Sequence, residues 1–136
     1  MLTRILEAIH RPRASTDACS PFYKFLIWNG ELEPGFIIDF PGQRISTSFY
    51  APSVKQGVQP TYPSVSEEIF EWAALLESVL QSGDTFTMIE AGAGYGRWLV
   101  GAVSALRCLG RKTRTHLVAI EPEPTHFFCA DLRAFS

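Results

Sequence analysis

The stretch from Thr85 to Glu121 constrains the fold of this chain more than any other. It reads as a short β-branched and apolar strand (Thr85–Glu90), a glycine turn (Gly92-Ala93-Gly94-Tyr95-Gly96), an apolar helix (Arg97–Leu109) and a second strand (Thr115–Glu121). Leu99, Val103 and Leu106 fall on one side of that helix, and Gly110 is placed to cap its end. Leu117, Val118, Ala119 and Ile120 are apolar without alternation, which predicts a strand covered on both faces. Strand, turn, helix and strand in this order open an α/β, doubly wound sheet with a right-handed crossover. Pro122 and Pro124 stop the second strand, and Thr125 is placed to cap a last helix.

The flanking sequence predicts a second helix and a small antiparallel unit. Ser64 with Glu67 forms a capping box. Ile69, Trp72, Ala73, Leu76, Val79 and Leu80 then recur at helical spacing, and Gly83 is placed to end the run. Glu67, Glu68, Glu71, Glu77 and Gln81 lie mostly on the other face, which reads as solvated surface. Upstream, Leu2–Ile9 has helical spacing and Arg11–Ser20 reads as a loop. Phe22–Trp28 is aromatic and strand-like, with Asn29-Gly30 as a turn. Phe36–Phe40, Pro41-Gly42 and Arg44–Tyr50 read as strand, turn and strand. Ala51–Pro63 carries Pro52, Gly57, Pro60 and Pro63 and reads as a linker or crossing loop. The expected division is therefore a lead-in over 1–63 and a helix plus β–Gly-loop–α–β–α unit over 64–136.

The 136 residues suit about one domain. Twelve Lys+Arg against fourteen Asp+Glu leave a net charge of −2, which implies no field for nucleic acid or an anionic membrane. Arg107, Arg111, Lys112 and Arg114 suit the negative pole of a helix C-terminus and are not read as a nucleic-acid patch. No apolar run has spanning length, and Met1–Arg13 lacks a secretory pattern, so a cytoplasmic protein is expected. Cys19, Cys108 and Cys129 stand apart and read as small buried hydrophobes. His10, His116 and His126 have no metal-binding spacing, and structural roles are expected for them, with His126 near the sheet's C-terminal edge. No metal is expected.

A glycine loop between strand and helix brings backbone close to a ligand at the helix N-terminus. Three ligand classes use such a loop. The triphosphate-cradling loop needs Lys and Ser/Thr after its last glycine. Gly96 and Gly101 have the spacing, but Ala102 and Val103 follow. The dinucleotide fingerprint needs a third glycine where this chain has Arg97, or a small residue where it has Leu99. The remaining pattern is acidic-x-Gly-x-Gly-x-Gly, from Glu90 to Gly96. A carboxylate at the lip of the crevice repels pyrophosphate and suits a ligand carrying an ammonium and a sulfonium, as S-adenosyl-L-methionine does. Glu121, at the tip of the next strand, is placed to accept the two hydroxyls of an adenosine ribose.

Glu90–Gly96 resembles motif I of the class I S-adenosylmethionine-dependent methyltransferases. Ile120-Glu121-Pro122-Glu123-Pro124 resembles the acid-Pro-acid-Pro stretch after the second strand in the FkbM family. Ser64–Gln81 and Asp39-Phe40-Pro41-Gly42 resemble the lead-in of its bacterial members, so the resemblance runs over roughly 36–136. It implies a Rossmann-like sheet and methyl transfer to a hydroxyl of a small molecule, such as a sugar or polyketide. It implies cofactor contacts at Glu90 (the methionine amino group), at Gly92, Gly94 and Gly96 (backbone), beside Tyr95, and at Glu121 (the ribose). Arg97 and Trp98 would sit beside the pocket, Trp98 more as core than as ligand contact. The lesser alternative makes Glu90 a cap for the following helix and Glu121 a surface acid at a strand end.

Only two strands of the implied seven-stranded sheet are legible, so the chain is expected to be the N-terminal portion of a longer enzyme. A complete small protein would fill the sheet by self-association or with a partner. No catalytic base is nominated. A non-catalytic S-adenosylmethionine-binding or protein-interaction module is the alternative, and an NAD-dependent oxidoreductase fragment is a third.

Overall fold

A computed structural model of the chain describes residues 20–49, 57–65 and 67–127. The expected helix Leu2–Ile9, most of the loop Arg11–Ser20, His10, Cys19 and Cys129 lie outside the described residues, as do the side chains of Glu67 and His126.

The first described element departs from the sequence expectation. Phe22–Lys24 is a 3-10 turn, entered from Pro21 in the right-handed helical region, and not part of a strand. The spacing of the aromatic residues explains this. Phe22 and Phe25 are three apart, so a strand would point them to opposite faces, whereas a 3-10 turn stacks them on one. Both are buried in the core. The chain then runs extended, and the amide of Trp28 donates to the carbonyl of Phe40 at 2.8 Å.

The expected antiparallel unit is present. Strand β1 (Phe36–Ile38) pairs with β2 (Arg44–Ser46), Ile37 opposite Ile45. The chain reverses through Asp39–Gln43, where the amide of Gly42 donates to the Asp39 carbonyl and that of Asp39 to the Gln43 carbonyl. Gly42 has φ 86°, and a Cβ there would lie 2.8 Å from the Trp28 ring, so both backbone and packing require glycine. Beyond Ser46 the strand gives way to a 3-10 turn, Thr47–Phe49. Arg44 pairs with Glu33 and stacks over the Phe36 ring.

Helix α1 (Glu67–Gln81) buries Ile69, Trp72, Leu76 and Val79, as its periodicity predicts, and Leu75 besides, while Ala73 and Leu80 are partly buried. Its end is not made by Gly83, which does not adopt positive φ. Ser82 turns back on Val79 through both amide and hydroxyl, and Arg111 completes the cap.

Strand β3 (Thr85–Ala91), helix α2 (Arg97–Cys108) and strand β4 (Arg114–Ile120) form a parallel β–α–β unit, with Glu90 beside Ala119 and Ala91 beside Ile120. The C-terminus of α2 closes as expected at Gly110, φ 65°. The Gly110 amide donates to Arg107 and that of Arg111 to Leu106, which is the paired bonding of a Schellman motif. One further helical turn, α3 (Pro124–Phe127), follows β4.

The core lies between the helices and one face of this sheet. Trp72 is its centre, with ring contacts to Phe40 at 5.0 Å and Trp98 at 5.3 Å, both near perpendicular. Phe22, Phe25 and Phe40 from the lead-in share this core with Leu76, Phe86, Ala102 and Leu106. It thus draws on both sides of residue 63.

Two expectations fail at the surface. Leu117 packs against the core, but Val118 and Ile120 are 46% and 53% exposed, and Ile89 beside them is 62% exposed. Among the described residues the helices cover one sheet face only, so the apolar run of β4 is half bare. Cys108, expected inside, is exposed at the last position of α2, its thiol directed to the Leu26 carbonyl at 3.6 Å.

Candidate functional site

The glycine loop bridges the end of β3 and the start of α2. Gly92, Gly94 and Gly96 have φ of 71°, 54° and 78°, a region that side chains disfavour. A Cβ at any of the three would meet nothing within 4 Å. Glycine is therefore required here by backbone conformation, and the space beside each α-carbon is open. Tyr95 is half-buried between them.

The parallel register brings the tip of β4 against the loop. The Ile120 carbonyl accepts from the amides of Gly92 (2.8 Å) and Ala93 (3.1 Å). Glu121, one residue on, accepts from Gly94 at 2.6 Å through Oε2 and from Glu123 at 2.8 Å through Oε1. Glu123 in turn accepts from the amide and hydroxyl of Thr125, at the first turn of α3. Thr125 is thus held by Glu123.

Glu90 points to the helix side of the sheet and is 8% exposed. Its Oε2 accepts from Leu99 at 3.1 Å and its Oε1 from Trp98 at 3.5 Å. Burial pushes its carboxyl above the usual range, and the two amides pull it part of the way back. A carboxylate on the first amides of a helix is a favourable cap. The geometry therefore gives Glu90 the helix-capping role that its position allowed. Glu90 and Glu121 flank one bend, as expected, and each grips backbone at the start of α2 or in the loop.

Trp98 packs on Trp72 as core. Arg97 sits over its ring at 5.1 Å. The sequence did not reveal the polar group around Arg97. Its guanidinium binds Glu68 through both terminal nitrogens, at 2.8 and 2.9 Å, so Glu68 is no mere solvated acid. The Arg97 carbonyl accepts from Gln43 at 2.9 Å, and Gln43 is 1% exposed. Asp39, in the β1–β2 turn, has Oδ2 buried without a hydrogen-bond partner; burial raises its pKa, Arg97 opposes that and Glu68 adds to it. The available signal was Gln43 and Asp39 standing polar among Phe36–Ile45.

His116 is exposed on β4. Among the described residues no group of three or more His, Cys, Asp or Glu could hold a metal ion, and no helix is long and apolar enough to cross a membrane.

Comparison with known proteins gives a relation over part of the chain. Over 84 residues the chain is 31% identical to a protein of Jannaschia sp. (strain CCS1) described as "Putative methyltransferase". The match covers 58% of this chain and 30% of that protein, so the chain spans under a third of its relative. No family model matches, and no solved structure matches.

Proposed function

We propose that this chain is the cofactor-binding part of an S-adenosyl-L-methionine-dependent methyltransferase of the FkbM type, acting on a small-molecule hydroxyl. The observation that carries the reading is the open glycine bend held between two carboxylates at the ends of adjacent parallel strands. The similarity to the Jannaschia protein supports the same reaction class.

The donor set fits the cofactor. The space beside Gly92, Gly94 and Gly96 admits a ligand in contact with the main chain. Glu121, at the loop, is read as the acceptor of the vicinal hydroxyls of a ribose, since a carboxylate offers about four lone-pair sites and can accept them beside the Gly94 and Glu123 amides. Glu90, engaged by the helix amides, contributes negative charge behind the loop for a cationic ligand. When bound, the cofactor supplies an electrophilic methyl group. The protein's part is to hold and orient, which is most of what an in-line transfer needs.

Calorimetry separates the ligands. S-adenosylhomocysteine is expected to bind and NAD to bind more weakly; the reverse ranking rejects the proposal. The bare face carrying Ile89, Val118 and Ile120 favours a second reading, a binding module docked on a partner that transfers nothing. Transfer of a labelled methyl group to any hydroxyl acceptor decides against it.

A further inference from the structure

Loops that cradle phosphate leave their amides aimed at the ligand. In this loop four amides are engaged by the chain itself. Gly92 and Ala93 donate to Ile120, Gly94 to Glu121, and Gly96 to Ala93. In the first turn of α2, Trp98 and Leu99 donate to Glu90, and Val100 donates to Gly96. The acceptor at the middle of the loop, and the one just beyond it in α2, are carboxylates.

We propose that Glu121 is the resident anion of the glycine loop: its carboxylate takes the Gly94 amide that a ligand phosphate would need, fixes the loop and restricts the ligand to nucleosides with no phosphate at that point. The shortest loop contact, 2.6 Å, is this charge-assisted bond. The second oxygen is held by the Glu123 amide, so the carboxylate is oriented from both sides. A phosphate approaching Gly94 meets a negative charge and no vacant donor there, with Glu90 adding charge from behind. Glu121 is thus a positioning and specificity residue, whatever ligand hydroxyls it also accepts. That the ligand is a nucleoside rests on the function proposed above; the closure to phosphate rests on the hydrogen bonds alone.

The test uses the full chain, free of ligand, followed by amide resonances. Inorganic pyrophosphate at millimolar concentration is expected to leave Gly92–Gly96 unmoved in the unaltered protein. In Glu121→Gln, which keeps the shape and removes the charge, the Gly94 amide proton is expected to shift upfield as its hydrogen bond weakens. In Glu121→Ala, pyrophosphate should bind at the loop about tenfold more tightly than in the unaltered protein. A loop that responds to pyrophosphate while Glu121 is intact overturns the proposal, as does a Gly94 amide indifferent to Glu121→Gln. So does a Glu121→Ala variant with no gain while Leu99 and Leu106 keep their amide protection; should Glu121→Ala not fold, Glu121→Gln and the unaltered protein decide. If these results hold but S-adenosylhomocysteine does not bind, the methyltransferase reading falls and the anion role stands.

Discussion

Arg97, the first residue of α2, grips Glu68 in the first turn of α1 through two parallel hydrogen bonds of 2.8 and 2.9 Å. The pair ties together the two helices that cover the sheet, next to the glycine loop. Glu68 is half exposed, so screening keeps the coupling small, about 0.5–1 kcal/mol. A double-mutant cycle of Arg97→Ala and Glu68→Ala measures it by denaturant unfolding. Arg97 holds the Glu68 carboxyl below its ordinary 4.5. That stabilisation is present above 4.5 and lost as pH falls through the lower folded value. Glu68→Gln should therefore flatten the acid limb of the stability profile; an unchanged acid limb means the pair is not formed in solution.

Asp39 carries the opposite sign. Its carboxyl is raised above 3.8, chiefly by burial, so the folded state favours the protonated form. The favourable contribution is complete below 3.8 and lost as pH rises through the folded value. At neutral pH the buried carboxylate costs stability, and one of its oxygens lacks a partner. Asp39→Asn should raise stability at pH 7 by about 1 kcal/mol, the scale of an unsatisfied buried acceptor. The gain should shrink towards pH 4. Loss of stability at neutral pH would show that the attraction to Arg97 outweighs burial.

Arg111 follows α2 but serves the other helix. It donates to the carbonyls of Val79, Leu80 and Ser82 at 2.8 to 3.2 Å, at the end of α1 where no further helical amides follow. Arg111→Ala should cost about 1.5–3 kcal/mol, as charged hydrogen bonds do. Arg111→Lys should recover only part of this, because one ammonium cannot span three carbonyls. Equal stabilities for Lys and Arg in urea unfolding would reduce the cap to simple charge.

Arg111 also marks the limit of what the sequence discloses. The β3–loop–α2–β4 unit, the α1 face and the Pro41-Gly42 reversal were legible because each is a pattern within a few residues. Gly110 as a cap was legible for the same reason. Arg111 with Val79, and Arg97 with Glu68, join residues far apart in sequence, and nothing local names the partner. The 3-10 turn at Phe22–Lys24 departs from the strand-like composition of Phe22–Trp28, and its signal is the three-residue spacing of Phe22 and Phe25. In the candidate site, the positions of Glu90 and Glu121 beside the loop were legible. The amide each one holds depends on strand register and helix entry, which only the assembled sheet fixes.

Two glycines of α2 and its loop offer the same substitution with opposite physics. Gly101 lies in the helix, where alanine is ordinarily better by up to about 1 kcal/mol. Its Cβ would stand 2.9 Å from the Trp72 ring and 3.3 Å from Gln43 Oε1, both buried. Trp72 is wedged between Phe40 and Trp98 and has nowhere to move. Overpacking of this kind costs about 1–3 kcal/mol, which exceeds the helix gain, so Gly101→Ala should lower the melting temperature. At Gly94 a Cβ meets nothing within 4 Å, and the only penalty is φ 54°, about 1 kcal/mol. Gly94→Ala should fold nearly as well as the unaltered chain. It should nonetheless lose S-adenosylhomocysteine affinity by well over tenfold, since the new methyl stands in the ligand's space. Melting and calorimetry on the same two proteins check both halves. A Gly94→Ala protein that binds as before would place the nucleoside away from this loop.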